Sequence, residues 1–371
     1  MKTRAAFVRT AHQPWEIAEL DLDPPRDNEV LIRFEAAGLC HSDQHVQTGD
    51  IEPRFPIVGG HEGAGVIEEV GPGVTRVQPG DHVVCAFIPS CGHCRFCSTG
   101  HQNLCDLGLN AVTGVLPGGG FRLHRDGEDF GGFAILGTFS QWGTVSESSV
   151  VKIDDDIPLD IAVLVSCGVP TGWGSAVYAA RVLAGDTVVV YGVGGIGINA
   201  IQGARHAGAK NVVAVDPVAF KREKAEELGA TASAATAEEA QQLVWERLAP
   251  GVGADHAIVT AGVVDETIVE NAFNMVRKGG QVTVTGLAHQ ERKTVQVPGS
   301  VLTLFEKRIV GSLFGSCNPV NDIPRLLGLY RSGDLKLDEL VTRRYRLDEI
   351  NQGYADMLEG RNIRGVIVHE H

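Results

Sequence analysis

The chain has 371 residues, 32 basic against 46 acidic side chains, a formal charge of −14, 43% hydrophobic and 21% charged residues. That length builds two domains, or one large one, around a substantial core, and the composition excludes disorder as the main state. The negative charge disfavours non-specific adsorption to nucleic acid or anionic lipid, so neither nucleic acid nor membrane is expected as a partner. No run of 18 or more apolar residues occurs; the most apolar stretches, 161–169 and 188–201, are interrupted by glycine, proline or polar residues. The first residues, MKTRAAFVRTAHQPWE, lack the apolar core of a signal peptide, and a cytosolic location is expected.

Up to about residue 151 the sequence reads as β-rich. Val30, Ile32 and Phe34 alternate with Leu31 and Arg33 as in a strand, and 66–70 reads similarly; Pro-Gly and Gly-Pro pairs separate the runs. Nine glycines crowd residues 108–137, where apolar periodicity fades; this segment reads as an elaborated loop. The texture changes near Ile161. A β-branched run over 187–191 precedes a helical pattern over 195–207, then come a strand at 212–215 and a charged helix at 220–228. A strand at 257–259, a helix at 265–276 and a strand at 282–285 continue the alternation, which implies a parallel, doubly wound sheet. Past residue 302 mixed elements return, with a helix at 322–332 and a final strand at 365–369. The expected layout is a β-rich domain, an inserted α/β domain, and a return to the first.

Glycine, at 46 residues, is well above the usual share of about 7% but follows no period, so tight turns account for it. Val188-Val189-Val190-Tyr191 runs into Gly192-Val193-Gly194-Gly195-Ile196-Gly197, a G-x-G-x-x-G between a predicted strand and a predicted helix. In such a turn Gly192 permits the tight bend, Gly194 the approach of a pyrophosphate, and Gly197 the packing of helix on strand. The helix N-terminus then offers N–H groups to the phosphates. Asp216, 19 residues after Gly197, is placed to accept from the adenosine ribose, which favours NAD because a 2′-phosphate would be repelled there. Lys221 and Arg222, a helical turn further on, pull the other way. Gly286, just past the strand at 282–285, is counted with the cofactor positions. The alternative is a glycine-rich turn that holds no nucleotide.

The eight cysteines are unevenly spread. In a reducing cytosol such clustering points to metal before disulfides. Cys91, Cys94, Cys97 and Cys105 give C-x2-C-x2-C-x7-C, a spacing from which four thiolates can close on one tetrahedral zinc. A saturated thiolate shell has no open position, so this site would hold a loop and do no chemistry. An iron–sulfur cluster or free thiols are the alternatives, although a ferredoxin-type cluster wants a different fourth spacing. His93, inside the loop, reads as a solvent-facing bystander. Separately, Cys40-His41-Ser42-Asp43-Gln44-His45 ends a predicted strand, His61 lies 21 residues past Cys40 in Gly60-His61-Glu62-Gly63-Ala64-Gly65, and Cys167 precedes the α/β region. One imidazole with two thiolates is a three-ligand set that leaves zinc a fourth position for substrate.

Together, Cys40-x-Ser42-Asp43, the Gly60–Gly65 box, the four-cysteine loop, Cys167-Gly168 and the Gly192–Gly197 turn follow the order found in zinc-dependent medium-chain alcohol dehydrogenases, which the whole chain resembles. The resemblance implies a GroES-like β-rich catalytic domain (1–168, including the loop 91–105), an inserted Rossmann domain (169–309) and a C-terminal return (310–371). It implies two zinc ions per chain and NAD. Cys40, His61 and Cys167 would hold the catalytic zinc, Asp43 would orient His61, and Glu62 would sit behind the metal as a transient ligand. Ser42 would hydrogen-bond the substrate oxygen and pass its proton toward His45 at the protein surface. His41 and Arg364 would reach the pyrophosphate, Thr171 would pack beneath the nicotinamide, and Ile51, Phe87 and Leu136 would line the substrate cleft, with core packing the alternative for those three. The implied reaction oxidises an alcohol to an aldehyde, or the reverse, by hydride transfer to the nicotinamide.

Local wording is more specific. Residues 86–92, 103–108, 311–315 and 362–367 resemble the actinobacterial nitrosoaniline (NDMA)-dependent alcohol dehydrogenases, nicotinoproteins whose NAD stays bound and is recycled in place, in cells by a redox carrier of the mycofactocin type. The alternatives are a conventional NAD-dependent alcohol or formaldehyde dehydrogenase, and a non-catalytic protein that binds zinc and nucleotide. A homodimer or homotetramer is expected, paired through the sheet edge near 300–312.

Overall fold

A computed structural model describes residues 1–288 and 294–371. The chain divides into two units, one of residues 1–167, 318–333 and 337–371, the other of residues 168–317 and 334–336.

The first unit is organised by the strand Glu29–Gly38. It pairs antiparallel with Gly63–Val70, Trp142–Ser146 and Arg364–Val368, so it is buried along most of its length rather than on one face. The alternation over 30–34 therefore understates its burial. Val30, Ile32 and Phe34 pack with Ile67, Val83 and Val145 on one side. On the other side Leu31 joins Phe7, Leu20 and Phe130. The helix His41–Thr48 follows directly, with Cys40 as its extended N-cap residue and Gly49 (φ 78°) closing it in the left-handed region. The four-cysteine segment is a short lobe built on the helix Arg95–Ser98.

The segment 108–137 is more than a loop. Leu123–Arg125 and Glu128–Gly132 form a hairpin that closes a barrel with Lys2–Val8, Glu16–Leu22 and Ile57–Val58. These strands were illegible because they are short and mostly polar; the single apolar pair across the hairpin is Leu123 opposite Phe130. Beside the hairpin, Arg122 is anchored to Glu29. Its Nε and Nη2 donate to the two carboxylate oxygens at 2.8 and 2.6 Å, and Nη1 donates to the Phe121 carbonyl at 2.8 Å. Both side chains are 2% exposed.

The second unit carries a parallel sheet in the order Ala232–Ala234, Asn211–Val215, Thr187–Tyr191, Ala254–Val259, Val276–Val284, Arg308–Gly311. This is the strand order of a doubly wound nucleotide fold, with its reversal beside the first strand, Thr187–Tyr191. The connecting helices have ordinary sequence causes. Thr236 and Asp265 cap Ala237–Leu243 and Glu266–Met275 by accepting from Glu239 N (3.2 Å) and Ile268 N (2.9 Å). The expected boundary at 310 needs correction. Arg308–Gly311 stays paired to Val276–Val284, and Cys317 Sγ still reaches the Pro170 carbonyl at 3.3 Å, so the chain returns to the first unit at Asn318. Among the described residues no single helix is long and apolar enough to cross a membrane.

Replacing Arg122 with methionine strands a buried carboxylate at Glu29. The expected loss is about 3–5 kcal/mol, read from urea denaturation at neutral pH. A loss near zero would mean that Glu29 finds another partner or takes up a proton cheaply.

Candidate metal and cofactor sites

Cys40, at the mouth of the helix His41–Thr48, meets His61, Glu62 and Cys167 in one buried cluster. One ligand atom from each lies within 4.8 Å of the others. The helix brings Asp43 beneath this cluster. Its Oδ1 accepts from Gly60 N at 2.7 Å, and its Oδ2 lies 2.9 Å from His61 Nδ1, an ion-pair contact rather than an aligned hydrogen bond. His61 is thereby turned so that Nε2, buried and without a protein partner, is left for another ligand. Glu62 Oε1 is likewise buried and unpartnered, while Oε2 is taken by the Arg364 guanidinium in a short ion pair. Gly38 makes room for this pair: a Cβ there would come 2.0 Å from Glu62 Oε2 and 2.9 Å from Arg364 Nη2.

The electrostatics suit a cation. A hydrogen bond from the Cys167 thiol, with His61 and Arg364 nearby, holds the Cys40 thiol well below its ordinary range; the same hydrogen bond and burial push Cys167 up. Burial acts to lower His61, but Asp43 and Cys40 outweigh it, so the imidazole attracts a proton strongly. Burial raises both acids: Asp43 moves up despite His61, and Glu62 reaches about 7 despite Arg364. Two thiols, an imidazole with a free nitrogen and a carboxyl, all buried, form a donor set whose shared protons a zinc ion would displace.

Ser42 Oγ lies 3.7 Å from Cys40 Sγ, at the edge of this set. His45 corrects an expectation: it is not at the surface but 4% exposed, with Nδ1 3.0 Å from Asp50 Oδ2. It falls on the buried face of the helix beside Val46, and Thr48 Oγ1 donates to the same Asp50 oxygen at 2.6 Å. His41 is half-buried at the first helical position. Phe87 sets its ring edge-on to His61 at 5.6 Å, and Phe133, which no motif marked, does the same from elsewhere in the sequence. Leu136 is buried in the core cluster of Val30, Ile32 and Phe34, and Ile51 packs partly buried beside Val46, Ile57 and Phe133.

In the four-cysteine lobe, Cys91, Cys94, Cys97 and Cys105 bring their sulfurs within the same 4.8 Å limit. Backbone N–H groups point at them: Cys94 N lies 3.3 Å from Cys91 Sγ, Cys97 N 3.4 Å from Cys94 Sγ, and Cys91 N 3.5 Å from Cys105 Sγ. Such donors stabilise thiolate, and the Cys94 thiol is lowered to about 6 chiefly by Cys97 N. This lobe fits a closed metal site. His93 points into solvent, as its spacing suggested.

In the second unit the turn after Tyr191 shows why each glycine is there. Gly192 has φ 84°, and a Cβ on it would come 2.7 Å from Ala261 Cα. A Cβ on Gly197 would come 2.0 Å from the Gly192 carbonyl, whereas Gly194 faces open space. That opening, beside Gly195 and Ile196 at the start of the helix Gly197–His206, is the cradle a pyrophosphate requires. Asp216 Oδ2 accepts from Val193 N and Oδ1 from Val218 N, each at 3.0 Å, which fixes the carboxylate at the strand end with lone pairs to spare. The Arg222 guanidinium donates to the Asp216 and Pro217 carbonyls at 2.7 and 3.0 Å, and Lys221 shares its helix, Ala219–Glu227. Gly286 packs against Ala261, and Thr171 is buried in the helix Gly168–Gly174.

Residues 26–155 match the alcohol dehydrogenase GroES-like domain, and residues 195–332 match the zinc-binding dehydrogenase family. The chain belongs to the zinc-dependent medium-chain alcohol dehydrogenases. It is 63% identical to the NDMA-dependent alcohol dehydrogenase of Amycolatopsis methanolica, covering 100% of this chain and 99% of that one. It is 47% identical to alcohol dehydrogenase B of Mycobacterium tuberculosis, covering 99% of this chain and 98% of that one. Among solved structures, benzyl alcohol dehydrogenase from Acinetobacter calcoaceticus superposes with a TM-score of 0.92 at 30% identity, covering 100% of both chains. This dehydrogenase is thus an oxidoreductase that handles small-molecule alcohols with zinc and a nicotinamide cofactor.

Behind the His61 turn, the buried His369 donates from Nε2 to the Thr138 carbonyl at 3.1 Å, and burial lowers its pKa to about 4. The unfolded chain takes a proton there near pH 6.5 and the folded one does not. Stability from this group is therefore complete above pH 6.5 and declines as the pH falls toward 4, by at most about 1.4 kcal/mol per pH unit. A His369→Gln variant should show a shallower fall in urea midpoint between pH 7 and pH 5 than the parent; parallel curves would show that His369 does not titrate as described.

Proposed function

We propose that this dehydrogenase interconverts an alcohol and its aldehyde using two zinc ions per chain, and that its NAD stays bound through turnover and is recycled in place by an external electron acceptor. The observation that carries the catalytic half is the buried donor set of Cys40, His61 and Cys167, with the Ser42 hydroxyl at its edge. Zinc held there would supply Lewis-acid activation of the alcohol, and NAD bound at the Gly192–Gly197 turn would supply the hydride acceptor. Ser42 takes the proton of the alcohol. His45 and its partner Asp50, whose side chain is 30% exposed, offer that proton a way out. Asp43 would keep His61 turned to a bound metal, Glu62 would serve as a reserve ligand, and the Cys91–Cys105 lobe would hold the second zinc through its four thiolates.

For the cofactor, Asp216 receives the adenosine ribose and selects NAD, with His41, Thr171, Lys221, Gly286 and Arg364 as further contacts. Arg364 would serve there while keeping its hold on Glu62. Phe87, Phe133 and Ile51 supply the apolar wall of the substrate site, with Leu136 buried in the core cluster that Phe87 packs against. Retention of the nucleotide is supported by the 63% identity to a dehydrogenase named for NDMA, an artificial acceptor; a carrier of the mycofactocin type would take that role in cells. Homo-oligomerisation is supported by the position of Arg308–Gly311 at the end of the sheet, beside the exposed Leu304 and Phe305. We place the enzyme in the cytoplasm.

Protein purified without added cofactor decides the matter of retention. Stoichiometric nucleotide that an alcohol reduces in place, with turnover on NDMA and none on added NAD, is the expected result. Steady release of NADH into solution would instead make this a conventional NAD-dependent enzyme.

The metal assignment has its own check. Elemental analysis should find about two zinc ions per chain, and Cys167→Ala should abolish turnover and lose one zinc while keeping the other. Full activity in that variant would overturn the ligand set.

A further inference from the structure

His61 is held from both sides by one residue that no motif marks. Thr138 is fully buried in the turn before the strand Trp142–Ser146, in a sequence distant from the metal-ligating positions. Its N–H donates to the Gly60 carbonyl at 3.0 Å, and its Oγ1 donates to the Glu62 carbonyl at 2.7 Å. These are the carbonyls of the residues immediately before and after His61. Its own carbonyl is occupied by His369 Nε2, which ties the arrangement to the end of the final strand.

The glycines of the box are shaped around this residue. A Cβ on Gly60 would come 2.4 Å from Thr138 Oγ1, and a Cβ on Gly63 would come 2.6 Å from Thr138 Cγ2. Space for this threonine is thus one of the constraints on two glycines around His61, Gly60 being set also by its φ of 88°. From the opposite side Ser166, directly before Cys167 and also fully buried, accepts from Gly63 N at 3.1 Å and donates to the Gly63 carbonyl at 3.0 Å.

We propose that Thr138 is a positioning residue for the metal centre, its N–H and hydroxyl together bracketing the His61 peptide while the Ser166 hydroxyl locks the same turn to the backbone that carries Cys167. The inference rests on the reading of Cys40, His61 and Cys167 as a zinc site. A metal shell tolerates little error in ligand placement, and His61 rides on a glycine-rich turn with no rigidity of its own. A purely space-filling role would be met by valine, which has the shape of threonine without its donor. The hydroxyl is the part that the positioning role requires.

The test uses the dehydrogenase as purified with its zinc, comparing Thr138→Val, Thr138→Ser and Ser166→Ala with the parent. Zinc release to a chromogenic chelator is followed, and the ion lost first is assigned by the activity that added zinc restores. Thr138→Val should release that zinc about 10–100-fold faster, the range usual for the loss of a partner that orients a metal ligand, and should leave release of the other ion unchanged. Thr138→Ser, which keeps the hydroxyl and loses only a methyl group, should release both ions at close to the parental rates. If Thr138→Val does not accumulate as folded protein, Ser166→Ala carries the same measurement with the same expectation.

Folded Thr138→Val with parental release of both ions overturns the positioning role. Equal acceleration in Thr138→Ser also overturns it, because packing would then be the cause. A parent holding a single zinc per chain, or a Cys167→Ala variant holding two, would instead remove the metal-site reading on which the inference stands.

Discussion

Everything in the catalytic unit depends on keeping several ionisable side chains out of water in one place. Cys40, Asp43, His61, Glu62, Cys167 and Arg364 are each 5% exposed or less. Taking isolated charges out of water costs several kcal/mol each, and no amount of apolar packing around them would offset that. The structure meets the cost by matching: Asp43 lies against His61, and Arg364 against Glu62. What these pairs leave over are His61 Nε2 and Glu62 Oε1, buried and unpartnered beside the two thiols, and a divalent cation is the natural complement. Stability and metal affinity are therefore one problem here, solved by the same contacts.

The two ends of the reaction are supplied in physically different ways. The proposed ligands of the catalytic metal come from three separate stretches of chain and depend on tertiary contacts for their spacing. The nucleotide turn is local: Gly192, Gly194 and Gly197 sit within one strand–helix junction and need only the sheet beneath them. That difference explains what the sequence made legible. A contiguous turn carries its own geometry, so its three glycines, the Asp216 carboxylate and the parallel, doubly wound sheet are readable from pattern alone. The four-cysteine lobe is equally local and equally readable. The catalytic set was readable only by resemblance, since Cys40, His61 and Cys167 have no spacing that singles them out.

What stayed hidden was hidden for identifiable reasons. The hairpin at 123–132 is short and polar, and its Arg122 anchor depends on a glutamate 93 residues away, which no window of sequence can show. The burial of His45 follows from which face of the helix His41–Thr48 turns inward, and a helix with so little apolar content gives no guide to that. Phe133 and Thr138 belong to no motif, because what matters in them is an edge and a hydroxyl brought in by a distant turn. Leu136 shows the converse: an apolar residue near functional segments belongs to the core unless its direction is known.

Gly38 has a consequence that its chemistry would not suggest. It contributes no functional atom, yet the Glu62–Arg364 pair occupies the volume in which its side chain would stand. In a map of mutational tolerance, position 38 would therefore score among the sensitive residues, since even alanine would displace the buried acid or the arginine. Reading such a map as a list of participants would assign chemistry to a residue whose whole contribution is absence.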